Sequence, residues 1–385
     1  MGNARAMNVT WDIFCKVVDN FGDAGVCWRL AKILNREHGV PVRLWIDDLV
    51  TLRALVPEVD AALAVQTVAE ITVCNRVAGK ADAVDARTVI EAFGCGLPDA
   101  YVAGMAAHER PPVWIVLEYL SAESWVDHHH GLISPHPRLS LQRYFFFPGF
   151  TSATGGLLRE ADLLSRHDAF NAAKRRTFWR GLGYDEPAPQ ALTVSMFAYA
   201  NVPFADLLQA MAQGAIPVVV VVPAGVLTPL VHSSFGVSGG ADATSWQRGA
   251  LEVRTLPFLS QARYDELLRA CDLNFVRGED SLVRALWAAR PLVWQPYRQD
   301  DDAHQRKMAA FLEHYCTGLD PVAAGALQAF WQCWSGEAGV VSDVWPALRA
   351  AHGVLAVHAG LWAQDMAQMG EMASQLVDFA RNKVE

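Results

Sequence analysis

Hydrophobic positions along this chain fall into short unbroken runs, separated by stretches in which apolar residues recur every three to four positions. Ile13 to Val18 is the first run, rich in β-branched residues, and reads as a strand. Val26, Leu30, Ile33 and Leu34 then repeat at helical spacing, while Arg29, Lys32 and Arg36 face elsewhere and Gly39 supplies a stop. Val42 to Ile46, Ile71 to Cys74, Val89 to Phe93 and Val113 to Leu117 continue the strand series, and the apolar stretch Arg143 to Phe150 adds another. Parallel strands read as such continuous runs because helices cover both faces of their sheet.

The texture changes at Tyr184 to Gln190 (YDEPAPQ), a short polar stretch with two prolines that reads as a linker. The alternation then restarts. Ala191 to Phe197, Ile216 to Val222, Leu251 to Leu256, Leu273 to Val276 and Leu292 to Gln295 predict strands, and Phe204 to Gln213 predicts a helix. A last helix is expected over Leu361 to Arg381. The pattern is α/β throughout, with two sequential doubly wound domains facing a cleft. The expected boundaries are 8–183 for a first domain, 191–360 for a second, and 361–385 for a C-terminal helix that could pack back on the first.

Composition narrows the function classes. The chain has 385 residues, 52% apolar and 19% charged, which suits buried α/β layers. Its formal net charge is −9 and it carries no basic tract, so nucleic-acid binding is not expected. Seven scattered cysteines lack metal-ligand spacing and read as reduced thiols of a cytoplasmic protein. The N-terminal residues lack the apolar core of a signal peptide, and no stretch reaches the ~18 apolar residues that span a bilayer.

Candidate chemistry gathers where strands end, because ligands of open α/β sheets bind beyond the carboxyl ends of the strands. In Asp19-Asn20-Phe21-Gly22-Asp23-Ala24-Gly25, two carboxylates and two glycines sit at the first such end. A helix cap accounts for Asp23 alone but not for Asp19 or the glycines. The stretch is neither a GxGxxG nor a GxxxxGK[ST] fingerprint, and its acids would repel a diphosphate. It suits a cationic or proton-losing group. In the second half, Arg277 to Asp280 form a turn and Ser281 opens a helix, which makes an anion site or simply a cap. Phe197, Tyr199, Phe258 and Gln261 could add stacking faces and an amide for a pyrimidine edge, although core packing is the better default for the aromatics taken alone. His128 to His130 are consecutive and read as a solvated loop. Asp300 to Asp302 contain a DxD pattern that in some sugar transferases holds a metal, and capping of the next helix is the favoured reading.

With these residues in place, VVDNFGDAGVCWRLA, EYLSAES, FFPGFTSATGGLLRE, SMFAY and RGEDSLVRALWAARPLVWQPY resemble the elongation factor P arginine rhamnosyltransferases, the EarP family, over nearly the whole chain. The resemblance implies a GT-B fold and inverting transfer of rhamnose from dTDP-β-L-rhamnose to an arginine of elongation factor P, with no metal or other cofactor and no membrane or direct nucleic-acid partner. It implies Asp23 as general base, with Asp19 beside it. It places Phe197, Tyr199, Phe258, Gln261, Glu279, Asp280, Ser281 and Tyr297 around the donor, Glu279 counting also among the catalytic groups. Two other classes stand against it. An NAD dehydrogenase would want the missing GxGxxG, and a solute-binding protein would want the missing signal peptide.

Overall fold

The computed structural model describes residues 10–19, 21–77, 84–236, 244–298, 302–337 and 339–384. The chain divides into two compact units, Met1–Ala161 with Met366–Glu385, and Asp162–Asp365.

The first unit is built on an eight-stranded sheet. Its strands are β1 (Trp11–Cys15), β2 (Val42–Ile46), β3 (Val65–Val68), β4 (Ile71–Asn75), β5 (Thr88–Ala92), β6 (Val113–Leu117), β7 (Ile133–Pro135) and β8 (Gln142–Phe146). They lie in the order β3-β4-β2-β1-β5-β6-β8-β7. All pairs are parallel except the two edges, where β3 and β7 run antiparallel to β4 and β8. These short edge strands were not expected from the sequence, because exposed residues such as Val65 and Ile133 break the buried apolar run that marks an inner strand.

Alternation along β1 separates two cores. Trp11, Ile13 and Cys15 face Ala24, Cys27, Leu30, Ala31 and Leu34 of α1 (Phe21–His38). Phe14 faces the opposite side, against Tyr101 and Met105 of α3 (Asp99–Ala107). Asp12, on that second side and fully buried, is held by a bidentate Arg43 at 2.6 and 2.7 Å and by the Tyr101 hydroxyl.

The strand Ile13 to Val18 ends earlier than its apolar pattern predicts. β1 stops at Cys15, because the next N–H groups bond carboxylates and not a neighbouring strand. Val17 N–H donates to Asp47 Oδ1 at 2.9 Å, and the N–H groups of Val18 and Asp19 donate to Asp23 Oδ2 at 2.8 and 2.9 Å.

The second unit carries a six-stranded sheet of β9 (Leu192–Met196), β10 (Val218–Pro223), β11 (Ser245–Arg248), β12 (Leu251–Leu256), β13 (Leu273–Arg277) and β14 (Leu292–Gln295). Its order is β11-β12-β10-β9-β13-β14, parallel except for β11. The division between units falls at 161/162 and not at the YDEPAPQ stretch. In α6 (Ala172–Gly181), Phe178 and Trp179 bury themselves against Val219, Val221, Leu256 and Leu267 of the second sheet. Arg175 adds bonds to the Ala270 carbonyl and Glu186, and the Tyr184 hydroxyl donates to backbone carbonyls of Thr244 and Thr255. The prolines of that stretch therefore mark a packed surface loop inside the second unit.

The C-terminal end differs from the single helix expected over Leu361 to Arg381. Two helices, α13 (Val341–Gln368) and α14 (Met372–Val384), meet at Gly370, whose φ of +94° few other residues adopt. The Glu371 carboxylate accepts the first free N–H groups of α14, from Ala373 and Ser374, both at 2.8 Å. Met372, Ala373, Leu376, Val377 and Ala380 enter the core of the first unit beside α1.

Candidate active site

In both sheets the strand order reverses beside the first strand, between β1 and β5 in one unit and between β9 and β13 in the other. Such switch points open a crevice at the carboxyl ends of the strands. The predicted site residues divide between these two places.

At the first switch point the chain leaves β1, turns, and enters α1. Asp23, in the first turn of that helix, is only 3% exposed. Its Oδ2 gathers the Val18 and Asp19 N–H groups, so the helix reaches back to fix the loop that precedes it. The Tyr119 hydroxyl donates to the same carboxylate. Burial pushes the Asp23 carboxyl above its ordinary range, the three donors pull the other way, and the nearby charge of Asp47 adds to the rise. Among the described residues no ion pair involves Asp23. Asp19 is half-buried, and its backbone carbonyl accepts the Gly22 N–H at 2.7 Å. A side chain at Gly22 would sit 3.0 Å from Asp19 Oδ2, so glycine lets that carboxylate fold over the helix start. Asp23 therefore clasps the loop that precedes α1, and its carboxylate lies buried near the end of β1.

At the second switch point, β13 runs directly into α10 (Gly278–Trp287), and Gly278 makes the turn with a φ of +64°. Glu279 accepts from Lys307 Nζ at 3.2 Å. Asp280 accepts from Arg284 Nε at 3.2 Å, and Arg284 is also bound to Asp265 at 2.6 Å. Each acid at the helix start therefore has a cationic partner. Ser281 is buried, with its hydroxyl accepting from the Arg277 N–H at 3.1 Å and donating to the Arg277 carbonyl. That hydroxyl fastens the turn.

Arg277 was not singled out from the sequence, and it lies at the centre of this cluster. Its guanidinium sits 4.7 Å from the ring centroid of Phe197 and 4.4 Å from that of Tyr199, with 8% of the residue exposed. The signal was its place as the last residue of a strand before a glycine turn, the position from which a cation reaches the strand ends. Tyr199 is positioned by its N–H bond to Gln295 at 2.8 Å, and its ring meets Tyr297 edge-on at 5.9 Å. Phe258 and Tyr297 are exposed, 43% and 41%. Gln261 opens α9 (Gln261–Ala270), and its buried side-chain N–H₂ group finds no acceptor among the described residues. The Tyr264 hydroxyl, three residues on, is likewise buried without a hydrogen-bond partner among the described residues, and its ring packs edge-on against Phe197.

Other sequence expectations resolve as follows. His128 and His129 lie in the short helix α4 (Val126–His129) and are exposed, but His130 is not a solvated loop residue. Its Nδ1 accepts the Phe147 N–H at 3.1 Å, and burial lowers its pKa. Asp302 directly precedes α11 (Ala303–Tyr315), yet its side chain makes no capping bond, so the capping role fails there. Asp300 and Asp301 lie outside the described residues, as does Asn20.

Two largely parallel α/β sheets in sequential units make up the GT-B fold. MurG of Acinetobacter baumannii shares that fold with this chain at 13% identity and a TM-score of 0.50, covering 97% of this chain and 99% of its own. The family model described as elongation factor P (EF-P) rhamnosyltransferase EarP matches residues 11–381. The protein-arginine rhamnosyltransferase of Pseudomonas putida is 46% identical over 98% of this chain and 100% of its own, and that of Pseudomonas aeruginosa 41% over 96% and 98%. A solved structure described as the basis for EarP-mediated arginine glycosylation of translation elongation factor EF-P is 36% identical. It has a TM-score of 0.69 and covers 97% of this chain and 99% of its own. The chain belongs to the EarP family of elongation factor P rhamnosyltransferases.

Proposed function

We propose that this chain transfers rhamnose from dTDP-β-L-rhamnose to an arginine side chain of elongation factor P, inverting the anomeric carbon and using no metal. The observation that carries the reading is Asp23, a buried carboxylate at a strand end with hydrogen-bond donors around it and, among the described residues, no ion-pair partner. An arriving guanidinium supplies the missing counter-charge. A carboxylate can bind it through two N–H groups and select one nitrogen for reaction.

The reaction then balances simply. One guanidinium nitrogen bonds the anomeric carbon as the bond from that carbon to the diphosphate oxygen breaks, the electron pair leaving on the diphosphate. The nitrogen's surplus proton passes to Asp23. The raised pKa of that carboxyl suits a proton acceptor better than an ordinary surface aspartate would. Asp19, folded over Gly22, adds a second negative charge to hold the guanidinium.

The second unit suits the donor. Arg277 and the N-terminus of α10 offer positive charge to the diphosphate as the C–O bond lengthens. Exposed Phe258 and Tyr297 offer stacking faces, and the unpartnered Gln261 amide offers a donor for a thymine carbonyl. Glu279 and Asp280 can accept from sugar hydroxyls while their ion pairs offset their charge.

The deciding experiment is intact-mass analysis of elongation factor P incubated with this protein and dTDP-rhamnose. A mass gain of one deoxyhexose, mapped to an arginine, is expected. Unchanged elongation factor P with active enzyme and fresh donor overturns the reading.

A further inference from the structure

Three strand ends lie side by side at the first switch point, since β1 pairs with β5 and β5 with β6. The first contributes Asp23. The second contributes Phe93, which with Gly94 continues the chain in the left-handed region, at φ of +58° and +61°. A phenylalanine is disfavoured there because its Cβ crowds the backbone carbonyl. The surroundings hold it there. Phe93 N–H donates to the Leu117 carbonyl at 2.7 Å, and Cys95 N–H to that of Ala92 at 3.1 Å. Buried Glu91 fastens the far side of the turn, accepting Gly96 N–H at 2.9 Å and Trp114 Nε1–H at 3.0 Å. Backbone strain imposed this firmly marks a place where a side chain must point in one direction.

That direction is toward the third strand end. The Phe93 ring stacks on Tyr119 with centroids 4.5 Å apart and planes 15° apart. The backbone on both sides of Tyr119 is anchored, Glu118 N–H to the Phe146 carbonyl at 3.0 Å and Ser121 N–H to that of Pro148 at 3.5 Å. A tyrosine fixed by its ring face and by its backbone has one place for its hydroxyl, and that place is the Asp23 carboxylate.

We infer that Tyr119 is a positioning residue for Asp23, its hydroxyl fixing the orientation of the carboxylate and setting the basicity with which it takes the proton from the acceptor arginine. The inference rests on the reading of Asp23 as proton acceptor. The other groups that face Asp23 are the Val18 and Asp19 N–H groups, the Asp47 carboxylate, and the Cys27 thiol on its own helix. The free Cys27 thiol shares a hydrogen bond with Cys15, and that bond together with burial pushes it well above its ordinary value, so it stays protonated throughout the range in which a carboxylate titrates. Asp47 raises the Asp23 pKa, and the Tyr119 hydroxyl lowers it by favouring the ionised form.

The test is the pH dependence of kcat/KM for transfer. Its acid limb reports the free enzyme's base. Tyr119→Phe keeps the stack on Phe93 and removes only the donor. The limb should then move to higher pH by about one unit, with donor affinity unchanged. Placing 3-fluorotyrosine at position 119 makes a stronger donor of the same shape, and the limb should move to lower pH. Limbs that superimpose on the wild type in both proteins overturn the inference, whatever the melting temperatures do. Asp23→Asn in the same assay separates the two failures. Transfer retained by Asp23→Asn removes the base itself. Transfer lost in Asp23→Asn, with unmoved limbs in the Tyr119 proteins, removes only the positioning role.

Discussion

Replacing Asp23 by asparagine tests the centre of the reading. Asparagine keeps the size of the side chain and one oxygen that can still accept the Val18 and Asp19 N–H groups. It loses the charge and the basicity. Each retained bond weakens from a charge-assisted to a neutral one, worth roughly half as much. Against this, the buried carboxylate no longer has to be desolvated. Two opposing terms of about 1–2 kcal/mol leave a net change within about 1 kcal/mol, which moves Tm by roughly 2–4 °C in a unit of this size.

The sign also depends on pH. Folded Asp23 keeps its proton to higher pH than in the unfolded chain, where the ordinary value is 3.8. As pH rises between these two values, the unfolded state ionises first, and the wild type loses whatever stability the protonated form contributed. Asparagine cannot ionise, so the difference in Tm should shift in the variant's favour from acid to neutral pH. Transfer should behave quite differently, falling ~10²–10⁴-fold, or about 3–5 kcal/mol of barrier, while donor affinity holds. The assay measures Tm at several pH values, donor binding by calorimetry and rhamnosyl transfer by mass on one preparation. Transfer within about tenfold of the wild type, with Tm and donor affinity intact, would refute the base assignment and leave Asp23 as the clasp of its loop.

Three further outcomes are expected. Gln261→Ala should weaken dTDP-rhamnose binding by about tenfold, one hydrogen bond's worth, without lowering Tm, because the amide has no protein partner to lose; unchanged calorimetric affinity would remove it from the donor site. Ser281→Ala should cost about 1–3 kcal/mol of stability by leaving the buried Arg277 N–H unpaired, and it should weaken donor binding mainly through the loosened turn; a variant with wild-type Tm and lost affinity would make the hydroxyl a direct donor ligand instead. EDTA should leave transfer intact, and a loss restored by Mg²⁺ or Mn²⁺ would promote the acidic run Asp300 to Asp302 to a metal site.

The parts of the fold legible in the sequence were those whose burial is nearly complete. β10, with six buried residues from Val218 to Pro223, could be read to within two residues because this inner parallel strand leaves no polar position to confuse the pattern. The unit boundary was misread because proline content reports a loop and says nothing about what the loop packs on. Only the burial of Phe178 and Trp179 assigns that stretch. Asp19 and Asp23 were visible as a pair at a strand end, and Glu279, Asp280 and Ser281 as a helix start. Arg277 and Tyr119 were not, since each acts through a contact with residues distant in sequence, Arg277 with Phe197 and Tyr199, Tyr119 with Phe93 and Asp23. Spacing along the chain carries no trace of such contacts.

The two switch points treat their acids in opposite ways, and the contrast bears on mechanism. At the start of α10 each carboxylate has a cation from the protein, Lys307 for Glu279 and Arg284 for Asp280. Those acids are placed to accept hydrogen bonds without presenting net charge to an anionic ligand. At the start of α1 the Asp23 carboxylate is buried near the charge of Asp47, and among the described residues it has N–H and O–H donors but no ion-pair partner. Burying a carboxylate among other acids is unfavourable in the free protein, which is what the raised pKa reports. A protein that needed only a helix cap would gain from a serine or a solvated aspartate at that position. The arrangement makes sense when a cation arrives from outside. On the proposed function, the substrate's guanidinium would relieve the unfavourable burial and would leave its surplus proton on the same carboxylate.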